Sequence, residues 1–183
     1  MKTRFEHVFN TKRCAARSLL FLLLALGAAA CEACRVAPQA QLISPDEQLQ
    51  QAADIVLAQV MSATQIGATT QGIRIVEYRF RVREQLAGTG RGEFTLQGWI
   101  REAQAEETTF NDHADAAFWA RGGGRTKNDM DCVIHPSFMV GASYLVFLGA
   151  PPTWRSYEKI DMHGEAIKPG DKWLAYVKDW LGK

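Results

Sequence analysis

The sharpest periodicity in the chain runs from Ile75 to Leu86, where Val76, Tyr78, Phe80 and Val82 alternate with Glu77, Arg79, Arg81 and Arg83. A period of two gives a strand one apolar face for a core and one charged face for water. Arginine and glutamate on such a face are ordinarily solvated rather than a binding stripe. Gly88-Thr89-Gly90-Arg91-Gly92 turns the chain, and Phe94 to Ile100 alternates again as the partner strand. Upstream, Ile55 to Met61 (IVLAQVM) is short and β-branched and predicts a strand buried on at least one face. Ser44-Pro45-Asp46-Glu47 supplies a cap, a first-turn proline and a capping-box glutamate, which predicts a short helix through about Ala53.

Residues 101–131 have a different texture: charged, rich in Asp, Glu, Thr and Asn, and broken by Gly122-Gly123-Gly124. So long a connection is usually functional or mobile. The triple glycine lacks the Gly-x-x-x-x-Gly-Lys-Ser/Thr spacing of a phosphate loop and reads as a hinge. Within the stretch, Asp112 to Ala120 predicts a helical turn or two anchored by Phe118 and Trp119. Phe138-Met139-Val140, a turn at Gly141 and Tyr144 to Phe147-Leu148 predict a second hairpin, with an edge strand somewhere in Trp154 to Ile160. Asp171 caps a final helix through about Leu181, with Leu174, Val177 and Leu181 in one apolar stripe beside Trp173 and Trp180. That helix lacks the basic face of a membrane-surface helix and is expected to pack on the strands. The expected fold is mainly β: a five-stranded antiparallel barrel with a short N-terminal helix and a C-terminal helix packed against it.

The start of the chain sets the compartment. Basic residues Lys12, Arg13 and Arg17 precede an apolar run from Leu19 to Ala30 that ends in Ala28-Ala29-Ala30, the three parts of a secretory signal. The run falls short of the roughly twenty residues that span a bilayer. Residues 1–30 are therefore expected to be a signal peptide and 31–183 a single extracytoplasmic domain, periplasmic or secreted. Without the signal the formal charge is −3, since it holds five of the 21 basic residues and one of the 20 acidic ones. A mildly acidic domain offers no basic patch for nucleic acid. Cys14 leaves with the signal, and Cys31, Cys34 and Cys132 remain. Three thiols in an oxidising compartment allow one disulfide and leave one cysteine over.

The order of features resembles a known module. N-terminal cysteines, a short helix, "ADIVLAQV", the long strand "YRFRVREQLAG", a cysteine before a hairpin and "F-x-x-G-x-x-YLVF" are similar to the netrin-like module of the tissue inhibitors of metalloproteinases, from Cys31 to about Gly149. The resemblance implies a five-stranded OB-fold. It also implies a protein-binding role in which the mature N-terminal cysteine, here Cys31, chelates a protease's catalytic zinc through its α-amino nitrogen and carbonyl oxygen. The residue after it, Glu32, would enter the specificity pocket, and the binding edge would comprise Cys31, Glu32, Ala33, Cys34 and Arg35 with the loop leading to Cys132. The family disulfide maps onto Cys31 and Cys132.

This chain has Cys-x-x-Cys where the family has Cys-x-Cys, and Glu32 puts a charge where a small or apolar side chain is usual. A second reading follows. Small residues followed by cysteine also end bacterial lipoprotein signals; a lipid on Cys31 would tether the domain to a membrane and leave Cys34 and Cys132 as the pair. The domain would then be an envelope lipoprotein with a barrel of unassigned binding role and no inhibitory activity. The partner is a zinc metalloprotease in the first reading and another envelope protein in the second. No cofactor and no metal of its own are expected: His113, with Asp112 and Asp115 nearby, lacks ligand spacing, as do His135 and His163. Ser137 and Ser143 have no glycine elbow, and Glu106-Glu107 falls in the charged loop, so no enzyme is expected.

Overall fold

The computed structural model describes residues 38–100, 111–121, 132–149, 151–163, 166–167 and 170–183. All of them belong to the compact unit Val36–Lys183. A 3-10 turn (Gln39–Gln41) leads into helix α1 (Pro45–Gln51). Its start is the expected capping box: the Ser44 hydroxyl accepts from the Glu47 amide at 3.3 Å, and the Glu47 carboxylate accepts from the Ser44 amide at 2.6 Å.

Strands β1 (Asp54–Ala68), β2 (Arg74–Ala87), β3 (Glu93–Ile100), β4 (Ser143–Leu148) and β5 (Tyr157–Ile160) form one antiparallel sheet in the order β3-β2-β1-β4-β5. The mainly β fold with five antiparallel strands is the expected one. Its closure is not: among the described residues β3 and β5 are edges, so the sheet is open rather than a closed barrel. Two-residue strands β6 (Met162–His163) and β7 (Ala166–Ile167) pair separately.

β1 is much longer than the apolar run predicts. The sequence signal ends at Met61, but β2 continues to pair with β1 from Ser62↔Arg79 to Ala68↔Arg74, so the strongly patterned strand templates an unpatterned one. Register shifts also explain how alternation serves two cores. β2 has an extra residue at Arg83, between the Ala58↔Val82 and Leu57↔Glu84 pairs, which inverts the faces. Leu86 thereby joins Ile55, Leu57, Leu145 and Phe147 on one side of the sheet, while Val76, Tyr78 and Phe80 face the other with Val56, Ala58, Tyr144, Val146 and Tyr157.

The first side is covered by helices. Leu49 of α1, Phe118 of α2 (Ala116–Trp119) and Trp173, Leu174 and Val177 of α3 (Lys172–Trp180) fill it. Leu174 and Val177 are buried as expected, whereas Trp180 stays 45% exposed.

The second side is covered by an irregular segment. Phe138 meets Tyr78, Phe80, Tyr144 and Tyr157 edge-on, with ring centroids 5.0 to 5.4 Å apart. The expected hairpin between Phe138-Met139-Val140 and Tyr144–Leu148 does not form: residues 133–139 have no strand structure, and β4 pairs with β1 and β5 instead. Pro136 in this segment cannot donate to a ladder. Its carbonyl instead lies against Gly98 of β3, where a β-carbon would come within 1.6 Å of the oxygen. His135 stacks on Trp99 at 3.5 Å. The segment thus spans from β3 across the core by packing, where a closed barrel would use a strand ladder.

Candidate functional site

Two zones are candidates for a functional site. The first surrounds Cys132. Cys31, Glu32, Ala33, Cys34 and Arg35, the binding edge read from the sequence, lie outside the described residues, as do residues 101–110 and 122–131 with the triple glycine. The chain enters the described region at Pro38, and three residues later the Gln41 side-chain amide donates to the Cys132 carbonyl at 3.0 Å. Cys132 has φ +62°, the left-handed region that L-residues seldom occupy. The segment it begins is apolar at its surface: Val133 is 44% exposed, Met139 43% and Val140 52%. Met61 of β1 is exposed beside the Val140–Gly141 turn, which the Gly141 amide ties to the Val60 carbonyl at 2.8 Å.

The second zone is a buried charge cluster. A 3-10 turn, Asp112–Ala114, carries His113 into the interior. Its Nδ1 lies 2.8 Å from Oε2 of Glu158 in β5, and its Nε2 lies 3.1 Å from Oδ2 of Asp171, the N-cap of α3. The His113 amide also donates to Glu158 Oε2 at 3.3 Å, and the Trp119 indole donates to the His113 carbonyl at 3.1 Å. Burial pushes the His113 imidazole down, but hydrogen bonds and charge from Asp171 and Glu158 outweigh it and raise it to about 9. Burial likewise pushes Asp171 up, while hydrogen bonds that its carboxylate accepts from the His113 ring and from the amides of the first turn of α3 hold it below its ordinary value.

Arg155 supplies the balancing charge near Glu158 and is itself fully buried. Its guanidinium donates to the carbonyls of Ile43, Phe118 and Ala120 and lies 4.9 Å over the Phe118 ring. Two cations against two carboxylates, each with directed hydrogen bonds, make an interior cluster tolerable. A cleft of about 260 Å³ opens beside it, lined by Asn111, His113, Ala114, Asp161, Gly170, Asp171 and Lys172.

Chemically this cluster holds a proton and offers none. Both ring nitrogens of His113 face carboxylate oxygens, which leaves no lone pair for base catalysis or for a metal. Among the described residues no group of three His, Cys, Asp or Glu side chains could hold a metal ion. Ligand spacing around His113 could not reveal this cluster, because its partners stand 45 and 58 positions away and no local spacing announces them. Of the other two, His135 stacks on Trp99, and the His163 side chain lies outside the described set.

Among the described residues no helix is long and apolar enough to cross a membrane. The chain matches no known protein-family model and no curated protein.

Proposed function

We propose that this chain is an extracytoplasmic protein-binding module of the netrin-like kind, whose binding edge is the segment Cys31–Arg35 held at Cys132. One observation carries the reading: Gln41, seven residues after Cys34, is hydrogen-bonded to the Cys132 carbonyl. Seven residues of chain reach at most about 25 Å, so the Cys34–Cys132 link that this reading uses is within the reach of the chain. The exposed apolar side chains of Val133, Met139, Val140 and Met61 supply a surface of the kind that protein partners cover. In this reading the free α-amine and carbonyl of Cys31 take the open coordination position of a partner protease's zinc.

The odd cysteine count and Glu32 favour the second reading, a lipid on Cys31 and no inhibition. The two are chemically exclusive, because acylation removes the amine's lone pair from use as a ligand. Inhibition of a zinc metalloprotease by the exported protein, tested with and without one alanine inserted before Cys31, tests the proposal. Inhibition that the insertion abolishes supports it. Absence of inhibition with a diacylglycerol mass on Cys31 supports the lipoprotein reading. Absence of inhibition with an unmodified Cys31 removes both zinc chelation and lipid tethering and leaves only a generic binding module.

A further inference from the structure

The segment 111–121 lies on the helical side of the sheet and is held by two fastenings of different chemistry. Toward its end, Arg155 donates to the carbonyls of Phe118 and Ala120, and Phe118 sinks into the core. Toward its start, His113 is the only fully buried side chain from Asn111 to Ala117. A guanidinium stays charged at any ordinary pH, whereas an imidazole does not.

The geometry at His113 needs its second proton. Nδ1 meets Glu158 at 2.8 Å and Nε2 meets Asp171 at 3.1 Å, so the ring donates from both nitrogens. A neutral imidazole carries one N–H, and one of the two contacts would then set a lone pair against a buried carboxylate. Of the three elements that meet here, the turn is the one able to give way. Glu158 is fixed in β5 by its ladder with β4, and Asp171 by its cap on Leu174. The turn Asp112–Ala114 is three residues long, with backbone hydrogen bonds from Ala114 to Asn111 at 3.4 Å and from Asp115 to Asp112 at 2.9 Å.

We propose that His113 is a proton-operated latch: with the proton the turn is fastened to β5 and α3, and without it the Asn111–Asp115 end comes away while the Phe118–Ala120 end stays. Asn111, His113 and Ala114 help to wall the cleft of about 260 Å³ at the start of α3, so the cleft opens with the latch. The ring's hydrogen bonds go to Glu158 and Asp171. The other charged groups around it are Asp112 and Asp115 on its own segment, Arg155 and Asp161 on either side of β5, and Lys172 of α3. The latch is independent of Cys31 and of any bound protease.

Linkage sets the size of the effect. The imidazole titrates at about 9 when latched and at 6.5 when free, so the open population rises about tenfold per pH unit between those values and is level on either side. Hydrogen exchange of the full chain from pH 6 to pH 10 reads this, each rate divided by that of the unfolded chain at the same pH, with low urea separating local from global opening. Protection of the 113–115 amides is expected to fall about 300-fold across the range and to depend little on urea, while the amides of β1 and β4 depend on it steeply. His113→Gln, which has no titrating proton, is expected to show low protection at 113–115 at every pH. Level protection across the pH range in the wild type overturns the proposal. So does a urea dependence shared with β1 and β4, which would mean that the turn leaves only when the whole chain unfolds, or a wild-type pH profile in His113→Gln. If His113→Gln does not fold, the wild-type pH and urea series decide alone.

Discussion

His113 and Asp171, 58 positions apart, meet at 3.1 Å, and one carboxylate thereby serves two elements: Oδ2 takes the imidazole while Oδ1 accepts the Leu174 amide at 2.9 Å. The cap of α3 and the anchor of the 112–114 turn are the same side chain. Trp173, Leu174 and Val177 are positioned over the sheet by what Asp171 holds.

Substituting this residue separates the two roles. Asp171→Asn keeps a cap oxygen and removes the charge, whereas Asp171→Ala removes both. Loss of one member of a buried pair costs about 3 kcal/mol, and loss of the cap about 1 kcal/mol more. Urea unfolding is expected to rank wild type above the asparagine variant and that above the alanine variant; equal midpoints for the two variants would show that the cap contributes nothing.

The cluster also predicts a shape for stability against pH. His113 rises from 6.5 to about 9 in the fold, so its contribution is complete below about 6.5 and fades as pH climbs through 9. Asp171 is lowered from 3.8, so its contribution is complete above that value and fades as pH falls through the lowered one. Glu158 and Arg155 face the same cluster, and Asp161 and Lys172 line the cleft beside it. The stability difference between wild type and His113→Gln should shrink by about 3 kcal/mol between pH 6 and pH 10. A difference that stays constant across that range would refute the arrangement of charges.

Gly98 has no room for a side chain, since a β-carbon would sit 1.6 Å from the Pro136 carbonyl oxygen. Gly98→Ala must therefore push residues 133–138 off β3, at a cost of about 2 kcal/mol or more. The Trp99–His135 stack is expected to part with it, reported as a change in the Trp99 emission. Unchanged stability and emission would mean that the segment does not bear on β3.

Phe138 is the hub of four aromatic contacts on the unhelical side of the sheet. Phe138→Ala is expected to cost about 3 to 5 kcal/mol in a thermal or denaturant melt. A loss under 1 kcal/mol would show that the irregular segment is not part of the core.

How far this was legible in the sequence depends on where each signal lies. Ser44 with Glu47, Val76 to Val82, Phe118 and Asp171 each carry a local pattern, and each element appears where that pattern puts it. The outer half of β1 has no pattern of its own and is a strand because β2 is one. Phe138-Met139-Val140 has the composition of a strand, but Pro136 and the close approach to Gly98 commit the segment to packing instead. The His113–Glu158–Asp171 contact joins three elements distant in sequence, so only tertiary structure brings it together. The binding edge Cys31–Arg35 rests on resemblance and on the Gln41 bond to Cys132.

That edge is where the functional account stands, and its tether is the point to measure. A disulfide closing the loop of nearly a hundred residues between Cys34 and Cys132 would contribute on the order of 4 kcal/mol before strain, and one between Cys31 and Cys132 about the same. Peptide mapping of the exported protein without reduction reads the linkage directly. The account predicts a fragment in which Cys132 is joined to Cys34, or to Cys31, in stoichiometric yield. Recovery of Cys132 as a free thiol would contradict it.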